Sequence, residues 1–116
     1  MPSLKLETSV NLTKDEEKTL ALEIALLASQ LLNKPLSVVQ VRIQSGLTVA
    51  FGSEVSEASA FLSIALIGNI APEVKSSLPG KFADLFAKYG IDAKKLFLNY
   101  KILIIFLWIV RRQLVY

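Results

Sequence analysis

Few side chains in this protein could do acid–base or nucleophilic chemistry. The 116-residue chain contains no cysteine and no histidine, which excludes a thiolate nucleophile, a disulfide framework, a zinc finger and an imidazole base. Carboxylates, lysines, three tyrosines and the N-terminal amine remain. Of these the α-amine, whose reference pKa is about 7.7–8.0, lies closest to neutrality. Any proton transfer near neutral pH would fall to it first.

The charged residues do not point to a polyanionic partner. Thirteen basic residues against ten acidic give a net charge of +3, and apart from Asp15-Glu16-Glu17 and Arg111-Arg112 they are scattered along the chain. A nucleic-acid domain would show a basic stripe interleaved with exposed aromatics. The opening Met1-Pro2-Ser3-Leu4-Lys5 has no basic segment leading into a long apolar one, so no secretory signal is expected and synthesis in the cytosol is the default. Near the other end, Ile102 to Val110 is uninterruptedly apolar. A bilayer-crossing helix needs roughly 20 such residues, and Lys101, Asn99, Lys95 and Lys94 stop the run from extending backwards, so a membrane span is rejected.

A composition of 53% hydrophobic and 20% charged residues excludes intrinsic disorder and fits one compact domain over 1–116. Period-two alternation predicts a strand over Ser3 to Val10. Thr13-Lys14-Asp15-Glu16 has the form of a capping box, with acidic residues at the positive end of the helix dipole. Leu20, Ile24, Leu27 and Leu31 then mark an apolar helix stripe, which Asn33-Lys34-Pro35 ends. A strand over Val38 to Ile43 turns at Ser45-Gly46 into a shorter one, Leu47 to Phe51. The order then repeats. Ala60 to Ile67 reads as a buried strand, Gly68-Asn69 as a turn, and Pro72-Glu73 as the start of a helix carrying Val74, Leu78, Phe82, Leu85, Phe86 and Tyr89 and stopping at Gly90. Pro79-Gly80 predicts a kink or a late start in that helix. Leu96 to Tyr100 is the closing strand.

A shift that lays Leu4 on Phe61 and Val39 on Leu96 superimposes the two halves. The expected fold is therefore α+β, two βαβ repeats forming a four-stranded mixed sheet with both helices on one face. The other face is left bare, and in so apolar a chain it should pack against copies of itself.

Several short stretches occur in an order that carries a family likeness: Met1-Pro2, the Thr8-Ser9-Val10 strand end, the helix closing on Lys34-Pro35, Val49-Ala50-Phe51-Gly52-Ser53, Ile67-Gly68, and Phe97-Leu98-Asn99-Tyr100. From Met1 to about Lys101 the chain resembles the macrophage migration inhibitory factor family, which includes D-dopachrome tautomerase. The resemblance implies a homotrimer whose three sheets surround a central channel, with active sites at the subunit boundaries. It also implies keto-enol tautomerase activity on aromatic α-keto acids or their enols, with no metal or organic cofactor.

By the same resemblance the catalytic base is Pro2, exposed by removal of Met1. The chemistry is coherent. A prolyl amine is a rigid secondary amine, and burial in an apolar pocket disfavours its charged form, so it can take a proton from one position of a substrate and return it to another. Lys34 matches the family's substrate-carboxylate lysine, and a cation there also offsets the C-terminal end of the helix dipole. Ile67 matches the residue whose backbone N–H meets the same carboxylate. Asn99 and Phe97 match residues that line the pocket from the neighbouring subunit, although strand alternation alone would also place them.

The chain departs from the family pattern at several positions. Phe97 replaces a frequent tyrosine and Val38 another, while Leu66 stands where a serine is usual. The stretch Ser59-Ala60-Phe61-Leu62 lacks the paired cysteines of members linked to thiol-redox activity, which excludes that activity here. After Lys101 the apolar segment 102–116 resembles nothing in the family's tail, so Trp108 is not carried over as its pocket tryptophan. If exposed, so apolar a segment is an aggregation hazard. The alternative to an enzyme is a cytokine-like factor, exported without a signal peptide, that acts through a receptor or other protein partner.

Overall fold

A computed structural model describes residues 2–103. Strand β1 (Ser3–Thr8) leads into helix α1 (Lys14–Leu32), and a short 3-10 turn, Leu36–Val38, delivers the chain to β2 (Gln40–Gln44). A small hairpin comes next, β3 (Val49–Phe51) and β4 (Glu54–Ser56). The second half repeats the first with β5 (Ala60–Ile67), α2 (Pro72–Ala87), a 3-10 turn at Ala93–Lys95 and β6 (Leu96–Leu103).

The main sheet has the order β2, β1, β5, β6. Each half pairs its own strands in parallel, and the halves meet antiparallel along β1 and β5. Its architecture is the expected two-repeat α+β fold with a four-stranded mixed sheet. Alternation along the strands decides what each face carries. Leu4 and Leu6 of β1 and Leu62, Ile64 and Leu66 of β5 are buried against Leu20, Ile24 and Ala28 of α1 and Leu78, Phe82 and Phe86 of α2. The Phe82 and Phe86 rings pack with centroids 5.7 Å apart.

Local chemistry sets the helix ends. Thr13 and Glu16 form the predicted capping box, the Glu16 amide donating to Thr13 Oγ1 at 3.1 Å and the Thr13 amide to Glu16 Oε1 at 2.9 Å. At the other end Asn33 adopts the left-handed conformation with φ 53, and the Lys34 amide donates back to the Ser29 carbonyl at 3.1 Å, as a helix terminator requires.

Several sequence expectations are corrected. The two halves do not superimpose by laying Leu4 on Phe61. Leu4 is buried and Phe61 exposed, and because Leu4 pairs with Val41 while Leu62 pairs with Leu98, Leu4 corresponds to Leu62. A one-residue slip reverses the faces of a strand. Helix α2 starts at Pro72 and runs through Pro79 to Ala87, so Pro79-Gly80 does not delay its start. Strand β1 ends at Thr8 because the Val10 amide turns back to Thr8 Oγ1 at 3.1 Å. The segment 52–57, which shows no strand pattern in the sequence, contains β4. Gly52, with φ 60, opens the two-residue turn that pairs Phe51 with Glu54.

The open sheet face is less apolar than composition suggests. It carries Ser3, Lys5 and Glu7 on β1 and Gln40, Arg42 and Gln44 on β2, and its exposed aromatics, Phe61 and Phe97, sit together on β5 and β6. The segment 102–116, with its reading as a divergent apolar tail that does not cross a membrane, falls outside the described residues except for the backbone of 102 and 103, which continues β6. No helix among the described residues is long and apolar enough to span a bilayer.

Candidate active site

Strand direction gathers three of the five predicted site residues at one end of the sheet. Pro2 immediately precedes β1, Lys34 lies in the crossover entering the parallel β2, and Ile67 ends β5, which runs antiparallel to β1. The Pro2 side chain is buried, and its carbonyl accepts the Gln40 amide at 3.0 Å. Residue 2 is thus fixed to β2 just where the crossover arrives.

Lys34 is half-buried and its main chain is held by Ser29, whose Oγ donates to the Lys34 carbonyl at 2.6 Å. With Leu31, Leu66, Asn69, Ile70 and Val74, Lys34 lines a cavity of about 240 Å³. The walls are largely aliphatic, and the ammonium brings positive charge to them. The lining reaches α2 at Ala71, a cap residue that makes no side-chain hydrogen bond to the helix N-terminus. Ile67 itself is half-buried, with its side chain on the open face by alternation with Leu66.

Phe97 and Asn99 lie elsewhere. On β6 they pair with Phe61 and Ser63, whereas the partner of Ile67 is Leu103. Phe97 therefore stands six residues from the Ile67 level, about 20 Å at roughly 3.3 Å per strand residue. Both side chains are exposed on the open face. Within one chain the sheet does not bring them to Pro2.

Phe97 has a partner that no sequence pattern assigns to the site. The Phe51 ring, at the tip of the β3–β4 hairpin, stacks on it with centroids 5.5 Å apart and an interplanar angle of 30°. Together with Glu7, Leu47, Val49 and Phe61 the pair lines a cleft of about 340 Å³. A signal is present, since Phe51 precedes the turn glycine Gly52, but the pairing depends on a hairpin whose second strand the sequence does not announce. Val38, the position of the other missing tyrosine, is exposed in the 3-10 turn before β2.

The perturbed ionisable groups lie on α1, just beyond α2 and on β6. Glu23 of α1 accepts from Lys88 Nζ at 2.7 Å and from the Tyr89 hydroxyl. These hydrogen bonds hold its carboxyl below the usual range. Burial, then the bond to Glu23, pushes the Tyr89 phenol up to about 12. Burial also raises the Tyr100 phenol, over whose ring Lys75 Nζ sits 5.5 Å from the centroid. The Glu23 group clasps α1 to the two residues just beyond the end of α2 and lies apart from the Pro2 end.

A profile of the family described as macrophage migration inhibitory factor (MIF) matches residues 1–106. No curated protein sequence is significantly similar to the chain. Among solved structures, MIF2 of Leishmania major superimposes with a TM-score of 0.77 at 23% identity, covering 89% of each chain. The macrophage migration inhibitory factor of Trichinella spiralis gives 0.75 at 24% identity, covering 87% of this chain and 88% of its own. Pt0534, in a structure inactivated by 2-oxo-3-pentynoate, gives 0.78 at 12% identity over 88% of this chain and 85% of its own.

Proposed function

Because the chain belongs to the macrophage migration inhibitory factor family, we propose that it is a cofactor-independent keto-enol tautomerase in which Pro2, freed by removal of Met1, acts as general base and then general acid. What carries this reading is the gathering of Pro2, Lys34 and Ile67 at one end of the sheet, with the Pro2 ring buried. An α-keto acid held there has its carboxylate between the Lys34 ammonium and the Ile67 N–H. Neutral Pro2 removes a proton from C3, the C2–C3 bond gains double-bond character, and charge moves onto the C2 oxygen. The prolinium proton then returns to that oxygen, giving the enol, and the reverse sequence restores the ketone. Atoms and electrons balance without metal or redox cofactor. Placing the carboxylate fixes C3 near the base, and orientation of this kind lowers barriers substantially.

Phe97 and Asn99 enter from a second copy, since the sheet holds them about 20 Å and about 13 Å away along their own chain. A homotrimer with sites at its boundaries meets that need. The inactivation of Pt0534 by 2-oxo-3-pentynoate, itself an α-keto acid, supports the same substrate class. The test is an absorbance assay of phenylpyruvate tautomerisation on protein whose N-terminus has been verified by mass spectrometry. Activity from a chain starting at Pro2 is expected. Inactivity of that chain, or full activity with Met1 retained, would overturn the reading.

A further inference from the structure

We propose that Phe51 is a specificity-determining residue: stacked on Phe97, it completes an aromatic wall that one subunit presents to its neighbour's Pro2, and it selects α-keto acids bearing an apolar ring. The inference rests on the tautomerase reading, whose aromatic substrates the family likeness already implies, and adds to it a residue that enforces that preference.

Phe51 is 40% exposed and Phe97 47% exposed. Contiguous exposed apolar surface marks an interaction site where single exposed side chains do not, and here two exposed aromatics are stacked on one another at 5.5 Å. The stack occupies a specific place. The cleft of about 340 Å³ beside Glu7 and Phe61 and a second cleft of about 250 Å³ beside Glu54 and Lys95 have only Phe51 and Phe97 in common. The pair is thus a ridge between two hollows.

Phe97 lies on β6, one of the two edge strands of the sheet, and its ring stacks on the hairpin's Phe51. Offset stacking adds about 0.5–1.5 kcal/mol beyond area burial. Against such a surface an aryl group gains dispersion and stacking energy that a short alkyl group cannot match. Phe51 therefore acts partly by its own exposed face and partly by holding Phe97. Phenylalanines at both positions make the ridge free of hydroxyl donors, so its contribution to recognition is to the ring and not to the keto oxygen.

The test compares phenylpyruvate with 2-oxobutanoate, reading solvent-deuterium exchange at C3 by NMR for both. Phe51→Ala should lower kcat/KM for phenylpyruvate about tenfold, mainly through KM, and for 2-oxobutanoate less than about twofold. Phe51→Tyr, which keeps the ring, should retain the aryl preference. Sedimentation accompanies each assay. If Phe51→Ala does not assemble like the parent, Phe51→Leu keeps apolar volume without the ring and should show the same loss of preference. An active parent whose aryl-to-alkyl ratio survives loss of the ring overturns this inference alone. A parent inert toward both substrates overturns the tautomerase reading and this inference with it.

Discussion

The amide of Gln40 donates to the carbonyl of Pro2 across 3.0 Å, so the residue assigned the proton transfer has its main chain tied to the neighbouring strand. Glycine at position 2 keeps that carbonyl while losing the rigid secondary amine. Pro2→Gly should fold and assemble like the parent and lose about 10²- to 10⁴-fold in kcat/KM, the span of a positioned acid–base group. Retention of parental turnover with an unchanged circular dichroism spectrum would remove Pro2 from the mechanism.

Lys34 offers a cleaner separation of binding from chemistry. Its main-chain position depends on the Ser29 contacts, which a side-chain change leaves intact. Lys34→Ala should raise KM for phenylpyruvate by about tenfold or more, in keeping with loss of a charge-assisted contact worth about 1.5–3 kcal/mol. Lys34→Arg should restore part of it. Steady-state kinetics showing an unchanged KM in Lys34→Ala would mean that the carboxylate is held by other groups.

The Glu23, Lys88 and Tyr89 clasp predicts a pH dependence of stability at both ends of the scale. The Glu23 pKa is lowered in the folded state, so its contribution is present above the ordinary value of 4.5 and fades as pH falls through the lowered one. The Tyr89 phenol is raised from 10.0 to about 12, so folding favours its neutral form. That contribution is complete below pH 10 and is lost as pH climbs toward 12. Tyr89→Phe should cost about 1 kcal/mol at pH 7, with the gap to the parent closing above pH 10. Urea denaturation curves that stay parallel from pH 7 to pH 11 would contradict this.

Phe86 is fully buried beside Phe82 and has no part in the proposed chemistry. Phe86→Ala should destabilise the protein by about 3–5 kcal/mol through lost transfer energy and the cavity left behind, read as a lower urea midpoint. A cost below about 1 kcal/mol would mean that the two helices close over the gap.

The scaffold is legible in the sequence where local and tertiary preferences agree. Thr13 through Glu16 predict a cap that forms as written, and the alternation of Leu4 and Leu6 predicts the buried face of β1. What escapes depends on pairing between distant segments. Whether Leu4 answers to Phe61 or to Leu62 is decided by strand register, which β1 inherits from β2 and β5 rather than from its own residues. The β4 strand, Glu54-Val55-Ser56, is too short and polar to show a pattern, and exists because Gly52 turns it onto β3. Pro79-Gly80 allows a late start, yet α2 begins at Pro72 and continues through Pro79 while burying Leu78 and Phe82 on either side, a case of packing overriding propensity.

For the candidate site, the family likeness names Pro2, Lys34 and Ile67, and strand direction accounts for their shared end. It also names Phe97 and Asn99, but nothing in a linear reading shows that they stand at a different level of the same sheet. Phe51 escapes because its stacking on Phe97 joins the hairpin to β6.

The separation between the Pro2 end and the Phe97 level has an experimental corollary. If a working centre must borrow its far wall, specific activity ceases to be a constant of the polypeptide and becomes a function of how much of it is in the tube. Progressive dilution would then silence turnover while every helix and strand stayed intact, and inert subunits carrying a damaged ridge, mixed with good ones, would poison their neighbours in proportion to their share.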